Sequence, residues 1–272
     1  MNHKFKVSIP LAIVITLVAV IYQRSTGPTY PKKFDIGLEE QVTIKFPRSH
    51  GGTTDAPVEV PMITEDMTAT MTYKRYPTKD EWTTVELVKD GNFLKSKLPN
   101  QPPAGKLNYF LSLNYGGKTQ QLASAEDPIF IRYKGEVPTA ILAPHVFCMF
   151  LSMLLSVVAL FEALYGTKKY KLVGRITLGC LMVGGMILGP IVQKYAFGVY
   201  WAGFPYDWDL TDNKLLIGVL SWLFAVALSW KGNKKWPTIM AAIILFAVYS
   251  IPHSMQGSEF DYEKGKVITD LD

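Results

Sequence analysis

Two histidines, His145 and His253, flank an aromatic and acidic stretch, Tyr200-Trp201 … Asp207-Trp208-Asp209 … Asp212-Asn213. Each follows a proline, Pro144 or Pro252, at the end of an apolar run. Two imidazoles carried on packed helices can supply both axial positions of one haem iron. Large aromatic planes suit the face or edge of a flat macrocycle. The residue types therefore point to haem b held by His145 and His253, with Tyr200, Trp201 and Trp208 beside it. Asp209 is expected to brace the loop by accepting backbone amides rather than to do chemistry. Asp212, just before Lys214-Leu215-Leu216, reads as a helix cap. Copper is the alternative cofactor. Met149 and Met255 stand close after the two histidines, Cys148 is nearby, and thioether with imidazole favours Cu(I). Methionine also fills cores, and interfacial histidines and aromatics occur without any ligand.

These residues need elements to position them. Of 272 residues, 49% are hydrophobic while 19% are charged, the balance of a membrane part joined to a polar domain. Apolar runs at 7–22, 140–164, 176–192, 215–230 and 237–251 read as five spans, some short of the roughly 20 residues a crossing needs. The first resembles a signal peptide in its charged start, but Tyr22-Gln23-Arg24 makes a poor cleavage site, so 1–24 reads as an uncleaved anchor. Lys168, Lys169, Lys171 and Arg175 follow the second run, and Lys231, Lys234 and Lys235 follow the fourth. Neither loop holds an acid. By the positive-inside rule both face the cytoplasm of a multi-pass inner-membrane protein. Residues 25–137, the aromatic loop and the tail 258–272 then face outward, and both histidines lie at that outer face.

The net charge of +5 is met by the cytoplasmic loops and calls for membrane lipid rather than nucleic acid. Cys148 and Cys180 fall within spans, and no Cys-x-x-Cys-His occurs, so c-type haem is not attached to this chain. Glu162 and Arg175 sit near span ends, so the spans show no relay of ionisable groups, which argues against a proton pump or ion-coupled transporter. Gly179, Gly184, Gly185 and Gly189 allow either close helix packing or room for a macrocycle.

Residues 25–137 read as an all-β sandwich of immunoglobulin-like type. Leu107, Tyr109, Leu111, Leu113 and Tyr115 alternate with polar residues, the period of a strand with one buried face. Phe110 breaks the polar face. Further strands are expected at 42–46, 68–76, 83–89, 93–97 and 129–133, separated by turn signals such as Asp90-Gly91 and Gly116-Gly117. His50, alone in a Ser-His-Gly-Gly loop, reads as a solvated residue.

Two resemblances follow from these residues. The order Tyr73 … Tyr76 … Trp82 … Leu98-Pro99 … Tyr109 resembles fibronectin-type domains. Residues 140–257, with Leu178-Gly179, Gly185-Met186-Ile187-Leu188-Gly189, Phe197-Gly198-Val199-Tyr200-Trp201, Trp208-Asp209 and His253-Ser254, resemble the tryptophan-rich (WWD) haem-handling proteins of cytochrome c maturation. That resemblance implies a four-helix haem-binding bundle at 138–257, two outward-facing haem-ligating histidines, and a cytochrome or other redox protein as partner. Phe197 stands where that family has its first tryptophan, and Gly203–Asp207 lengthen the loop. The family's further membrane histidines have no counterpart. The expectation is a membrane b-type haem protein for haem handling in cytochrome c assembly, with enzymatic activity left open. The alternatives are a haem b subunit passing electrons between quinol and an outer partner, a copper-handling protein, and a scaffold.

Overall fold

The computed structural model describes residues 3–37, 41–252 and 257–268. The chain divides into two units: Met1–Pro28 with Val137–Gly257 and Thr269–Asp272, and Thr29–Glu136 with Ser258–Ile268. The first is helical in its described residues and the second is built of separate β-sheets.

The helical unit comprises α1 (His3–Thr26), α2 (Thr139–Leu164), α3 (Tyr170–Phe197), α4 (Leu210–Trp230) and α5 (Trp236–Ser250). Four helices, from Val7 in α1 through α4, are long and apolar enough to cross a membrane. The run at 237–251 forms a helix of only 15 residues, so it falls short of the length expected of a span. Each termination has a local cause. At the end of α2, Gly166 adopts φ +77°, its amide bonds to the Ala163 carbonyl, and the Thr167 hydroxyl reaches the buried Glu162 carboxylate. At the end of α3, Gly198 is left-handed and its amide bonds to the Lys194 carbonyl.

Packing uses small residues. Gly174 of α3 lies against Trp222 of α4, whose indole is fully buried among Ala159, Ala225, Ala241 and Ala242. The middle of α3, Leu181–Leu188, winds as a π-helix. A Cβ at Gly184 would lie 2.5 Å from Cys148 Cβ, and one at Gly185 would lie 2.4 Å from Leu215 Cδ1. These two glycines are filled by neighbouring helices, so they serve close packing and leave no room there for a macrocycle. Along α1, Ala12 is buried against Val157 and Val158 of α2, and the Gln23 side chain donates to the Tyr249 carbonyl of α5 at 2.8 Å.

The sheet unit contains β1 (Lys32–Ile36), β2 (Val42–Phe46), β3 (Ser49–Gly51), β4 (Ala56–Pro61), β5 (Thr68–Tyr76) and β6 (Thr83–Glu86). It continues with β7 (Val88–Asp90), β8 (Phe93–Leu98), β9 (Lys106–Tyr115), β10 (Lys118–Leu122) and β11 (Ile129–Lys134). One sheet runs β3-β11-β9-β5-β6 with β10 also on β9, a second runs β4-β8-β7, and β1 pairs with β2. The alternation in β9 holds: Leu107, Tyr109, Leu111, Leu113 and Tyr115 are all buried. They join Phe46, Val58, Met71, Leu94, Leu98 and Ile131 in one core. Phe110, on the other face, packs edge-on to Trp82 at 5.1 Å, with Lys74 over the indole.

The strand expected at 83–89 is in fact two. It breaks at Leu87, which turns into the core and donates its amide to the Ala69 carbonyl, so β6 stays on β5 while β7 joins β8. Strands β1, β3, β4 and β10 were not signalled. In β4, Pro57 and Pro61 disguise the buried alternation of Ala56, Val58 and Val60; an edge strand tolerates prolines because half its amides pair with nothing. His50 lies in β3, with Nε2 on Thr54 and its ring edge-on to Tyr133.

Candidate functional site

His145 sits half-buried nearly two turns into α2. Its Nδ1 lies 2.8 Å from the carbonyl oxygen of Gly184, within the π-helical turn of α3. A carbonyl only accepts, so Nδ1 carries the proton and a neutral ring keeps its lone pair on Nε2. In the π-turn the Gly184 carbonyl already accepts the Gly189 amide, and His145 takes its second lone pair. The ring's Cε1 lies 3.7 Å from where a Cβ on Gly189 would stand, an ordinary contact distance. Metal-binding histidines are oriented this way, with the second ring nitrogen donating to a backbone carbonyl.

Below His145 on α2, Met149 is partly buried against the helical core. Its sulfur lies 3.7 Å from the Tyr249 hydroxyl, which also approaches Ser152 at 3.3 Å. Met149 is thus engaged inside the helical unit. His253 and Met255 lie outside the described residues, so the pairing of His145 with His253 is carried forward only as a proposal. Among the described residues, no group of three or more His, Cys, Asp or Glu is arranged to hold a metal ion.

The aromatic loop is built from its base. Asp209 is the N-cap of α4, accepting from the Thr211 amide at 2.7 Å and the Asp212 amide at 3.3 Å. Its own amide donates to the Ala202 carbonyl at 2.8 Å, so it braces the loop as well. The cap expected at Asp212 is therefore at Asp209. Asp212 is freed by one turn to reach back, and its buried carboxylate accepts from the Ala202 amide at 2.6 Å. Asn213 does the same for the Phe204 amide at 2.8 Å. Three consecutive polar roles in the first turn of α4 thus fold the loop onto its own helix.

The two tryptophans divide. Trp201 is half-buried, its indole N–H donating to the Phe204 carbonyl at 3.2 Å and its ring against Gly203. Trp208 is 61% exposed, with only Phe204 stacked obliquely at 6.2 Å. Tyr200, Phe204 and Tyr206 are exposed too, and Lys194 lies over the Tyr200 ring at 5.3 Å. Trp201 helps shape the loop, whereas Trp208 and Tyr200 present faces to whatever lies outside it.

Lys214 was not singled out by the sequence. It is buried, and its ammonium donates to the carbonyls of Ile251 at 2.8 Å and Pro252 at 3.2 Å. It thereby satisfies the carbonyls that end α5 and complements that helix's negative pole. It fixes the chain at the residue before His253. Its position directly after Asp212-Asn213 in the first turn of α4 was the signal, and that placement alone reads as a solvated first-turn lysine.

Together these features define a protein of several apolar helices and separate β-sheets, with an imidazole and an exposed aromatic loop in the helical unit. Searches against protein-family models, curated proteins and solved structures find no match to this chain.

Proposed function

We propose that this chain is a multi-pass inner-membrane protein that holds b-type haem at the outer membrane face, with His145 as one axial ligand and His253 as the other. The observation that carries the reading is the His145 Nδ1 contact to the Gly184 carbonyl, which leaves Nε2 as the ring's donor atom to a metal. The fit is selective. Gly184 and Gly185 of α3 are filled by Cys148 and Leu215, so a macrocycle would belong on the Nε2 side of the imidazole and not at these two glycines. Trp208 and Tyr200 supply exposed aromatic faces for it, Trp201 and Asp209 shape the loop, and haem handling in cytochrome c assembly with a cytochrome partner is the role that fits a peripheral haem. Copper bound through Met149 fits less well, because that thioether is already packed against Tyr249.

Membrane insertion is supported by the four long apolar helices, and parity bears on the number of crossings. Ser258–Ile268 belongs to the same unit as Thr29–Glu136. An inserted chain must then cross an even number of times between them, so α5 crosses with α2, α3 and α4 in spite of its length. Flanking lysines that snorkel and a locally thin bilayer accommodate such a helix. The sheet unit then lies outside as an immunoglobulin-like sandwich, and α1 is a retained anchor packed on α2. A reporter fused after Lys169 or Lys234 is expected to be active only in the cytoplasm, and one inserted at the Gly116-Gly117 turn only outside. The reverse pattern ends the proposal.

The direct test is the absorbance spectrum of the detergent-purified protein, oxidised and then reduced. A six-coordinate b-type spectrum is expected. Trp208→Ala is expected to lower haem occupancy severalfold, and Trp236→Ala, at the far end of the helical unit, to leave it unchanged. Equal occupancy in both variants reduces the loop to an interfacial belt.

A further inference from the structure

The last two described strands, β12 (Glu259–Asp261) and β13 (Lys266–Ile268), pair as a hairpin of three residues a side. A ribbon so short does not hold together in water by itself. It belongs to the sheet unit, yet none of its residues enters that unit's apolar core. Polar and aromatic contacts hold it instead. Arg132 Nη2 donates to the Ser258 carbonyl at 2.5 Å, and Lys106 forms an ion pair with Glu259. The Tyr262 hydroxyl donates to Gln101 Oε1 at 3.0 Å or to the Lys106 carbonyl at 3.1 Å, and accepts from the Lys106 amide at 3.2 Å. Burial pushes that phenol up to about 12, so it stays protonated as a donor at neutral pH. The Arg75 guanidinium lies over the Tyr262 ring at 4.9 Å while Asp80 holds its other edge.

The surface under the hairpin is shaped for this occupant. Gly105 has no Cβ where the Tyr262 hydroxyl sits; one would stand 2.9 Å away. Ala104, at φ +70°, holds a left-handed conformation that costs an L-residue about 1–2 kcal/mol, and its carbonyl accepts the Phe260 amide at 3.2 Å. Strain kept where the backbone offers an acceptor is characteristic of binding surfaces. The cations Arg75, Lys106 and Arg132 meet Glu259, a carbonyl and an aromatic ring, so receptor and occupant are complementary in charge.

We propose that this surface is a docking site for an acidic, tyrosine-bearing extended segment of a partner protein, and that Ser258–Ile268 occupies it in cis as a displaceable strap. The Lys106–Glu259 pair is partly buried and the Arg132–Ser258 bond is buried, but the hairpin puts nothing into the apolar core, so its hold combines these few polar contacts with its being tethered to the site. A segment of the same chemistry in trans replaces it contact for contact once the strap is weakened. The proposal is independent of any haem.

The test uses the full-length protein in detergent and a labelled peptide with the sequence of residues 258–268. Glu259→Lys with Tyr262→Ala is expected to disable the strap and to bind the peptide at least about tenfold more tightly than the unaltered chain, which competes with its own strap. Adding Lys106→Glu to that variant is expected to abolish binding, and raising the salt to weaken it. On the unaltered chain, hydrogen exchange is expected to be at least about tenfold faster at the Phe260 amide than in β9, reporting local opening of the strap. A folded strap variant that does not bind the peptide overturns the proposal. So does a Phe260 amide protected as well as those of β9, and that measurement stands whether or not the variants fold.

Discussion

His145→Ala is expected to abolish the six-coordinate haem spectrum of the purified protein and to cut haem retention by an order of magnitude or more. Under the proposed ligation the alanine removes one axial ligand, which changes spin state and affinity together. It also removes the donor to the Gly184 carbonyl at 2.8 Å, a bond worth about 0.5–1.5 kcal/mol net, since that carbonyl keeps the Gly189 amide. The two effects separate with His145→Asn. The asparagine amide keeps a donor near the position of Nδ1 but has no Nε2, so it is expected to recover the thermal stability of the apoprotein without recovering the spectrum. A spectrum unchanged in both variants excludes His145 as a ligand. A loss in alanine that asparagine restores in full makes His145 a positioning residue for the π-helical turn and nothing more.

Gly185→Val is expected to lower the stability of the helical unit measurably. Its first side-chain carbon would stand 2.4 Å from Leu215 Cδ1, closer than carbon atoms approach, so α3 and α4 must separate or Leu215 must leave its rotamer. Overpacking of this kind costs about 1–3 kcal/mol. Leu215→Ala in the same chain is expected to return part of that loss. Gly179→Ala is the internal control: nothing lies within 4 Å of its Cβ position, so the melting temperature is expected to hold or rise with the better helix propensity. Equal melting temperatures for Gly185→Val and the unaltered protein in thermal unfolding would show that the two helices are not in contact at this level.

Much of this architecture was legible from local pattern. The period-two run of β9 and the apolar lengths of α2 and α4 are properties of consecutive residues, and burial follows directly from them. Asp209 was legible as an acceptor of backbone amides but not as the cap, although its capping bonds span only two or three residues. Asp212 was misread as the cap because two acids in successive half-turns carry the same local signal. The choice between them lies with the Ala202 amide, which only the folded loop brings within 2.6 Å.

What the tertiary structure decided is everything that depends on a second element. Leu87 splits one apparent strand into two because its side chain enters the core and its amide reaches the Ala69 carbonyl, not because the local sequence changes period. Lys214 caps α5 from the start of α4, a contact across 37 residues of chain. His145 meets Gly184 across 39 residues, and the proton on Nδ1 follows from that carbonyl alone. The sequence placed an imidazole at the end of an apolar run and aromatic planes in a loop. Which ring nitrogen keeps its lone pair, and which of the two tryptophans faces outward, are set by partners that approach only through packing, because a side chain's proton and orientation are fixed by the atoms that surround it rather than by its neighbours in the chain.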